Sequence, residues 1–459
     1  MTRPTDLRIV AATYDIQTIR YRAPIKFGGR VVTDAVLSDV TVDVETRSGR
    51  RGRGFGSMPM SNAWAWPGNV VEGPQALAAM IEFGRRRVER ANEYRGTSHP
   101  LEIARALEHD DETIASDVKQ QLSLAEPIPR LAQLVAASPL EAAIFDAQGI
   151  ALGANAYNLL GGEYVSHDLA RYLNDDFAGD YLDQYTLRTP KPSMPLYHLV
   201  GALDPLTDAD LHERLNDGLP ETLGQWITAD GLTHLKIKLA GDNLPWDVDR
   251  VVAVERVAAE TQARRRCANW HYSVDFNEKC ANVVYVLDFL QQVGHRSPLA
   301  LERIQYIEQP THRDLRAHPE NRMHRAAAIK PVVIDESLVD LESLLLAREM
   351  GYSGVALKAC KGHAGALLMG AAAQKYGMFL CVQDLTCPGR SFLHSASLAA
   401  RIPGVAAIEG NARQYCPTGN RDWAERYPGM FQILDGTVGT AALEGAGLGF
   451  SLIATAPLG

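Results

Sequence analysis

In the second half of the chain, short apolar runs alternate with longer amphipathic ones. The short runs predict strands over Leu196–Val200, His234–Leu239, His271–Phe276, Ile304–Glu308, Val332–Asp335, Gly354–Lys358, Met378–Gln383 and Val405–Glu409. Between them, Val248–Arg264, Leu338–Met350 and Ala364–Tyr376 carry apolar residues at three- and four-residue spacing, which predicts helices. Gly351 and Gly377 follow two of these as helix stops. Eight strands separated by helices predict an α/β fold, a parallel (β/α)8-type TIM barrel over 194–429.

The first half has a different pattern. Arg8–Thr13 and Val36–Val44 show β-branched alternation and predict strands. Tyr21–Arg30, rich in Pro and Gly, predicts a loop, and Gly52–Pro67 a long exposed loop anchored by Phe55, Trp64 and Trp66. From about Pro74 to Leu160 the period is helical, and the Ala-rich stretch Leu140–Gly162 ends on two glycines. Residues 1–162 therefore predict an α+β domain. Residues 163–193, irregular and rich in Tyr, Asp and Pro, predict a linker, insert or lid. The tail, 430–459, carries strand-like patches and a Gly-rich segment that predict a return to the N-terminal domain.

Length and charge narrow the function. A chain of 459 residues accommodates a barrel and a second domain. A net charge of −9 argues against a nucleic-acid or anionic-membrane partner. No apolar run approaches a membrane span, and the N-terminus lacks a signal-peptide core, so a cytoplasmic location is expected. The six cysteines form no CxxC pair, which excludes zinc-site spacing and predicts reduced thiols.

In a barrel of this kind chemistry sits at the C-terminal strand ends. Strand two ends in Lys236-Ile-Lys238, strand three in Asp275-Phe-Asn277, strand four in Glu308-Gln309-Pro310, strand five in Asp335-Glu336-Ser337 and strand six at Lys358. Three acids on adjacent strands share one volume and cannot all ionise without a cation. Oxygen-only ligands favour a hard ion, Mg2+ or, as second choice, Mn2+. Lys236 and Lys238 share a strand face. Their mutual repulsion and a nearby cation favour a neutral lysine that serves as a base. Lys238 and Lys358 address opposite faces of a substrate.

This ordered set, KxK, DxN, EQP, DES and a lysine, resembles the enolase superfamily, in its muconate-lactonizing subgroup within the mandelate racemase/muconate-lactonizing family. The N-terminal strands, the AAIFDAQGIALGANAYNLLGG helix and the Gly-rich tail are similar to that family's capping domain. The resemblance implies Asp275, Glu308 and Asp335 as Mg2+ ligands and Lys238 and Lys358 as acid/base residues. Lys236 would bind the substrate carboxylate and tune Lys238. The loops near 21–30 and 52–67 would be mobile and close over the substrate. The implied partner is a small-molecule carboxylate, and the implied assembly a homo-oligomer.

Further substrate contacts are expected among Asn277, Glu336, Gln383, Asp384, Glu409, Tyr21 and Lys26. Register leaves open which of Gln383 and Asp384 faces inward. The Asp–His dyad of the mandelate-racemase subgroup is not matched, because strand six supplies Lys358 and strand seven no histidine; His363 and His394 lie well past their strands. Strand eight reads Glu409-Gly-Asn411 where dipeptide-epimerising relatives carry DxD. Three functions remain: a racemase, epimerase or cycloisomerase; a hydroxy-acid or acid-sugar dehydratase; and a catalytically silent metal- or ligand-binding scaffold.

Overall fold

A computed structural model describes residues 3–27 and 30–451. Strands β1 (Leu7–Phe27), β2 (Arg30–Thr46) and β3 (Arg51–Pro59) form an antiparallel sheet in that order. The loop expected at Tyr21–Arg30 is instead the upper part of the β1–β2 hairpin, apart from Gly28 and Gly29, which lie outside the described residues. The register shifts between Arg20 and Ile25, around Pro24. β1 is an edge strand, where a bulge accommodates a residue without an N–H.

The exposed loop expected at Gly52–Pro67 is also corrected. Most of it is strand β3, followed by the short helix α1 (Asn62–Ala65), and Phe55, Trp64 and Trp66 are buried. The glycines that suggested a loop form a packing face. Four helices follow: α2 (Gly73–Glu93), α3 (Pro100–Glu108), α4 (Asp111–Gln121) and α5 (Arg130–Leu152). Gly52, Gly54 and Gly56 alternate along β3, and a Cβ on any of them would lie inside 3.0 Å of the α5 backbone at Pro139, Ala143, Ala147 or Ala151. Those four helix residues recur every fourth position, so a ridge of small residues meets a strand of glycines. Pro139 sits inside α5 and leaves the Val135 carbonyl without its N–H donor; the Ser138 hydroxyl donates to it at 2.9 Å.

The barrel consists of β4 (Met194–Val200), β5 (His234–Lys238), β6 (His271–Asp275), β7 (Ile304–Glu308), β8 (Val332–Ile334), β9 (Gly354–Leu357), β10 (Phe379–Val382) and β11 (Ile408–Glu409). Neighbours pair in parallel in chain order, and β11 closes on β4 through Ile408↔Leu196 and Glu409↔Tyr197. Tyr197, Tyr306, Val333, Ala356, Cys381 and Ala407 fill the interior below the strand ends. Helices outside the strands include α6 (Leu223–Asp230), α7 (Leu244–Arg265), α8 (Val283–Arg296), α9 (Pro298–Arg303), α10 (His324–Ala327), α11 (Leu341–Glu349), α12 (His363–Lys375) and α13 (Arg390–Arg401).

Residues 163–193 run along the barrel's outer wall. Lys375 bonds Asp180 at 2.7 Å, and Lys191 donates to the carbonyls of Ile402 and Val405 at 2.9 and 2.6 Å. In the tail, β12 (Thr437–Val438) pairs antiparallel with β4, and Gly447 then bridges to Asn155 beyond α5. All six cysteines are free. Among the described residues no helix is long and apolar enough to cross a membrane.

Candidate active site

Strand ends bring the charged residues together because neighbouring parallel strands end in register. Lys238 pairs in register with Asp275, and Asp275 with Glu308. Asp275 accepts the Asn277 backbone N–H at 2.8 Å, a local turn made possible by the positive φ of Asn277. Gln309 does the same work between strands: its Oε1 accepts the Asp335 and Ser337 backbone N–H groups at 3.0 and 3.2 Å, fixing the end of β8. Asp335 is not a helix cap; Asp340 caps α11 by accepting from Ser343 N–H at 2.8 Å.

Lys236 is fully enclosed at the centre. Its ammonium lies 2.9 Å from Glu308, 3.0 Å from Glu409 and 3.2 Å from Asp275. Lys238 bonds Asp275 and, at 3.1 Å, Asn277. On the far side Lys358 bonds Asp335 at 2.6 Å, and Lys361 reaches both the Asp335 carboxylate, at 3.1 Å, and its backbone carbonyl. β5 and β9 are four strands apart in an eight-stranded barrel, so Lys238 and Lys358 stand diametrically opposed.

The remaining candidates divide. Gln383 faces the barrel interior and donates to Glu308. Asp384 turns to the rim, where it accepts from the Cys387 backbone N–H and the Asn411 side chain at 3.1 and 3.2 Å. Glu409 accepts from Asn411 at 2.6 Å. Glu336 accepts from the indole N–H of Trp64 at 2.9 Å, which brings the N-terminal domain onto the barrel mouth. Trp64 also covers Lys358, whose ammonium lies 4.3 Å from the ring centroid. Lys26, at the hairpin end, borders a cavity of about 490 Å³ that it shares with Lys238 and Asn277. Tyr21 lies on the Asp384 side, close enough to Thr386 and Asp384 to feel both, with its ring 6.3 Å from that of Tyr415. His363 and His394 pair with each other at 3.0 Å against Phe145 of α5, outside the barrel.

Lys361 and Gln309 were not singled out from sequence. Lys361 lies three residues past Lys358, and the short 3-10 turn Ala359–Lys361, with three residues per turn, brings both onto Asp335.

Electrostatics follow from this enclosure. Burial opposes the charge on Lys236, but Glu308, Glu409 and Asp275 outweigh it and hold the ammonium well above the usual lysine range. The same contest, won by Asp335, raises Lys358. At Lys236 and Lys358 carboxylates lie nearer than other ammonium groups, which is why both are raised. Burial also opposes ionisation of Asp335, yet Lys358 and Lys361 draw it down to about 2. Asp275 is lowered likewise by Lys238 and Lys236. Glu308, buried between Asp275 and Asp335, is pushed well up. Burial and then Asp335 push Glu336 to about 8, and burial and then Glu409 push Asp384 to about 7.

These shifts bear on whether a divalent cation suits the site. Buried carboxyls at Asp275, Glu308, Asp335, Glu336, Asp384 and Glu409 outnumber the ammonium groups of Lys236, Lys238, Lys358 and Lys361. The raised acids, Glu308, Glu336 and Asp384, hold protons in place of the missing positive charge. Oxygen donors that need more positive charge than the lysines supply fit a hard dication, which would displace those protons. Among the described residues no three His, Cys, Asp or Glu side chains already stand at metal-ligand spacing. The lysines set the spacing here.

The fold and mouth define a capped (β/α)8 barrel with its polar centre at the C-terminal strand ends. The chain belongs to the enolase C-terminal domain-like family, whose model matches residues 219–456, just over half of it. Among solved structures, muconate lactonizing enzyme from Pseudomonas fluorescens, complexed with muconolactone, aligns with a TM-score of 0.58 at 19% identity, covering 97% of each chain. Dipeptide epimerase from Enterococcus faecalis V583, complexed with Mg and L-Leu-L-Tyr, gives 0.60 at 17%, covering 96% of this chain and 99% of that one. An enolase from Bradyrhizobium, complexed with magnesium and mandelic acid, gives 0.61 at 15%, covering 97% and 96%. At these identities the likeness is one of fold. No curated protein sequence matches the chain.

Proposed function

We propose that the protein is a Mg2+-dependent enzyme that removes and returns the proton α to a substrate carboxylate, a racemase, epimerase or cycloisomerase of the two-lysine muconate-lactonizing subgroup. The observation that carries this reading is the placement of Lys238 and Lys358 on opposite sides of Asp275, Glu308 and Asp335, with Lys236 between them. Family membership supports it. So do the fold neighbours, an epimerase and a lactonizing enzyme among them.

Asp275, Glu308 and Asp335 would hold Mg2+. When bound, the ion supplies Lewis-acid stabilisation of the negative charge that develops on the substrate carboxylate. Lys236, an ammonium held among three acids, orients the carboxylate. Lys358, kept protonated by Asp335, delivers a proton from one face. Lys238, open to the cavity bordered by Lys26, takes one from the other. Trp64 excludes water above Lys358. The expected homo-oligomer and cytoplasmic location belong to this proposal.

The test is α-hydrogen exchange in D2O with Mg2+ and a panel of carboxylic acids. A substrate should exchange, and Lys238→Ala and Lys358→Ala should each lower exchange or turnover at least about 100-fold. Failure of the whole panel would favour the silent scaffold, and net loss of water the dehydratase. In calorimetry, Asp275→Asn should weaken Mg2+ binding; unchanged affinity sinks the ligand assignment.

A further inference from the structure

The helix that carries the Trp64 roof does not hold its own shape. α1 is a single turn, Asn62–Ala65, too short to be stable alone in water. Ser61, just before it, has a left-handed φ of +40° and makes no side-chain cap. At the other end the carbonyls of Trp64 and Ala65 have no later turn to bond them. Among the described residues no backbone N–H donates to either.

Those carbonyls are met from the barrel. Arg313, in the connection from β7 to α10, donates to the Trp64 carbonyl at 3.0 Å and to the Ala65 carbonyl at 3.4 Å. Glu278, in the connection from β6 to α8, holds the same guanidinium: Nε donates to Oε2 at 2.7 Å and Nη2 to Oε1 at 2.5 Å. Oε2 also accepts the Arg313 backbone N–H at 2.9 Å. Glu278 in turn donates its backbone N–H to the Gln309 carbonyl at 2.9 Å, so two neighbouring strand ends carry the pair. The Arg313 carbonyl accepts the Ser337 hydroxyl at 2.8 Å, one residue past Glu336, whose carboxylate takes the Trp64 indole N–H at 2.9 Å. Trp64 is thus gripped at its main chain by one arm and at its ring by another, and both arms spring from the barrel mouth. The ring so placed lies 4.3 Å from the Lys358 ammonium and 5.8 Å from that of Lys361.

We propose that Arg313 is a positioning residue: it clasps the N-terminal domain to the barrel and sets Trp64 over Lys358, with Glu278 holding the guanidinium in place. A planar fork of N–H donors can face one carboxylate and two carbonyls at once, whereas a lysine ammonium is a single point that cannot span them. The clasp stands on these contacts alone. Its consequence for proton transfer rests on the reading of Lys358 as an acid/base residue.

The experiment is acrylamide quenching of tryptophan fluorescence in the full chain, for the parent, Arg313→Lys, Trp64→Phe and the double variant. Trp64 is 5% exposed, so its share of the emission, the difference between parent and Trp64→Phe, should be shielded. Arg313→Lys should raise the quenching of that share at least about twofold by letting α1 open locally. In the Trp64→Phe background the same substitution should leave quenching unchanged, because the remaining tryptophans lie outside the clasp; a general loosening would move them too. Should Arg313→Lys fold poorly, Glu278→Gln keeps the arginine, frees its holder, and should show the same rise with the same dependence on Trp64. Unchanged quenching in the folded variant, or an equal rise in the Trp64→Phe background, overturns the proposal. With a substrate from the exchange panel, Arg313→Lys should lower kcat at least about tenfold while KM stays within about threefold. A change confined to KM overturns the step from Trp64 to Lys358. If no acid exchanges, the proton-transfer reading falls, and the quenching result still decides the clasp.

Discussion

The two sides of the barrel mouth are built differently. On the Lys238 side the lysine bonds Asp275 and Asn277, both from the neighbouring strand end, and opens onto a cavity of about 490 Å³ bordered by Lys26 and Lys279. On the Lys358 side the lysine is roofed by Trp64, doubled by Lys361, and backed by the α5 helix. The barrel alone makes the first side, whereas the second needs the N-terminal domain. Lysines of equal chemistry, both buried, thus sit in differently built surroundings, and the roofed one owes its surroundings to how β3 seats on α5.

The largest test of this difference is Gly54→Val. Its branched side chain would meet the backbone at Ala143 and Ala147, which cannot yield without separating β3 from α5. Overpacking of this severity should destabilise by about 3 kcal/mol or more. Thermal unfolding should show it, and Lys358-dependent chemistry should be lost before Lys238-dependent chemistry. A normal melting temperature would mean that the seat is softer than the glycine ladder indicates.

Next comes Lys236→Met, which strikes the centre that both sides share. It leaves Asp275, Glu308 and Glu409 facing each other without their ammonium. Removing one partner from a buried ionic set costs about 3–5 kcal/mol. Denaturant unfolding in chelator should record that loss, and added Mg2+ should restore part of it. A loss that Mg2+ leaves untouched would argue against a cation at these acids.

A pH dependence sharpens the roofed side. Asp146, on α5, accepts the Phe55 backbone N–H at 3.0 Å and the Leu448 N–H at 2.8 Å, and so ties β3 and the tail to the helix. Burial raises it to about 7 despite those bonds. A folded value above the unfolded one, near 3.9, means the proton is held more tightly in the folded state. Its contribution to stability is therefore complete below about pH 4 and is lost as pH rises through about 7, with a slope of at most about 1.4 kcal/mol per pH unit. Stability curves from pH 4 to 8 should flatten in Asp146→Asn; an unchanged slope would place the titrating group elsewhere.

The same contrast explains what the amino-acid pattern revealed. Barrel strands are local: five successive short apolar runs carry a charged residue at or near their ends, so eight strands and the KxK, DxN, EQP and DES ends could be read one by one. Parallel register then brought them together. The roof could not be read this way. Gly52, Gly54 and Gly56 look like a flexible loop until α5 is placed behind them, and the Pro24 region looks like a turn until β2 supplies its partner. Lys361 is silent for the same reason, because its value depends on reaching Asp335, 26 residues away on another strand end. Gln383 and Asp384 differ by one register step that only the closed barrel fixes. What depended on one segment was legible, and what depended on two distant segments was not.

The smallest expected effect isolates the roof itself. Trp64→Phe keeps an aromatic face over Lys358 and removes the indole N–H that bonds Glu336 at 2.9 Å. Phenylalanine retains most of the ring burial and a weaker cation–π contact. The lost hydrogen bond and the orphaned buried carboxyl should together cost about 1–3 kcal/mol. Folding should survive, so activity reports on the roof alone. If the roof excludes water from Lys358, the variant should lower kcat for a racemised substrate more than it changes KM, and deuterium washed in from the Lys358 face should rise relative to the Lys238 face. Equal wash-in from both faces, as in the parent, would mean that the two sides are alike in solvent and that the asymmetry of the mouth is structural only.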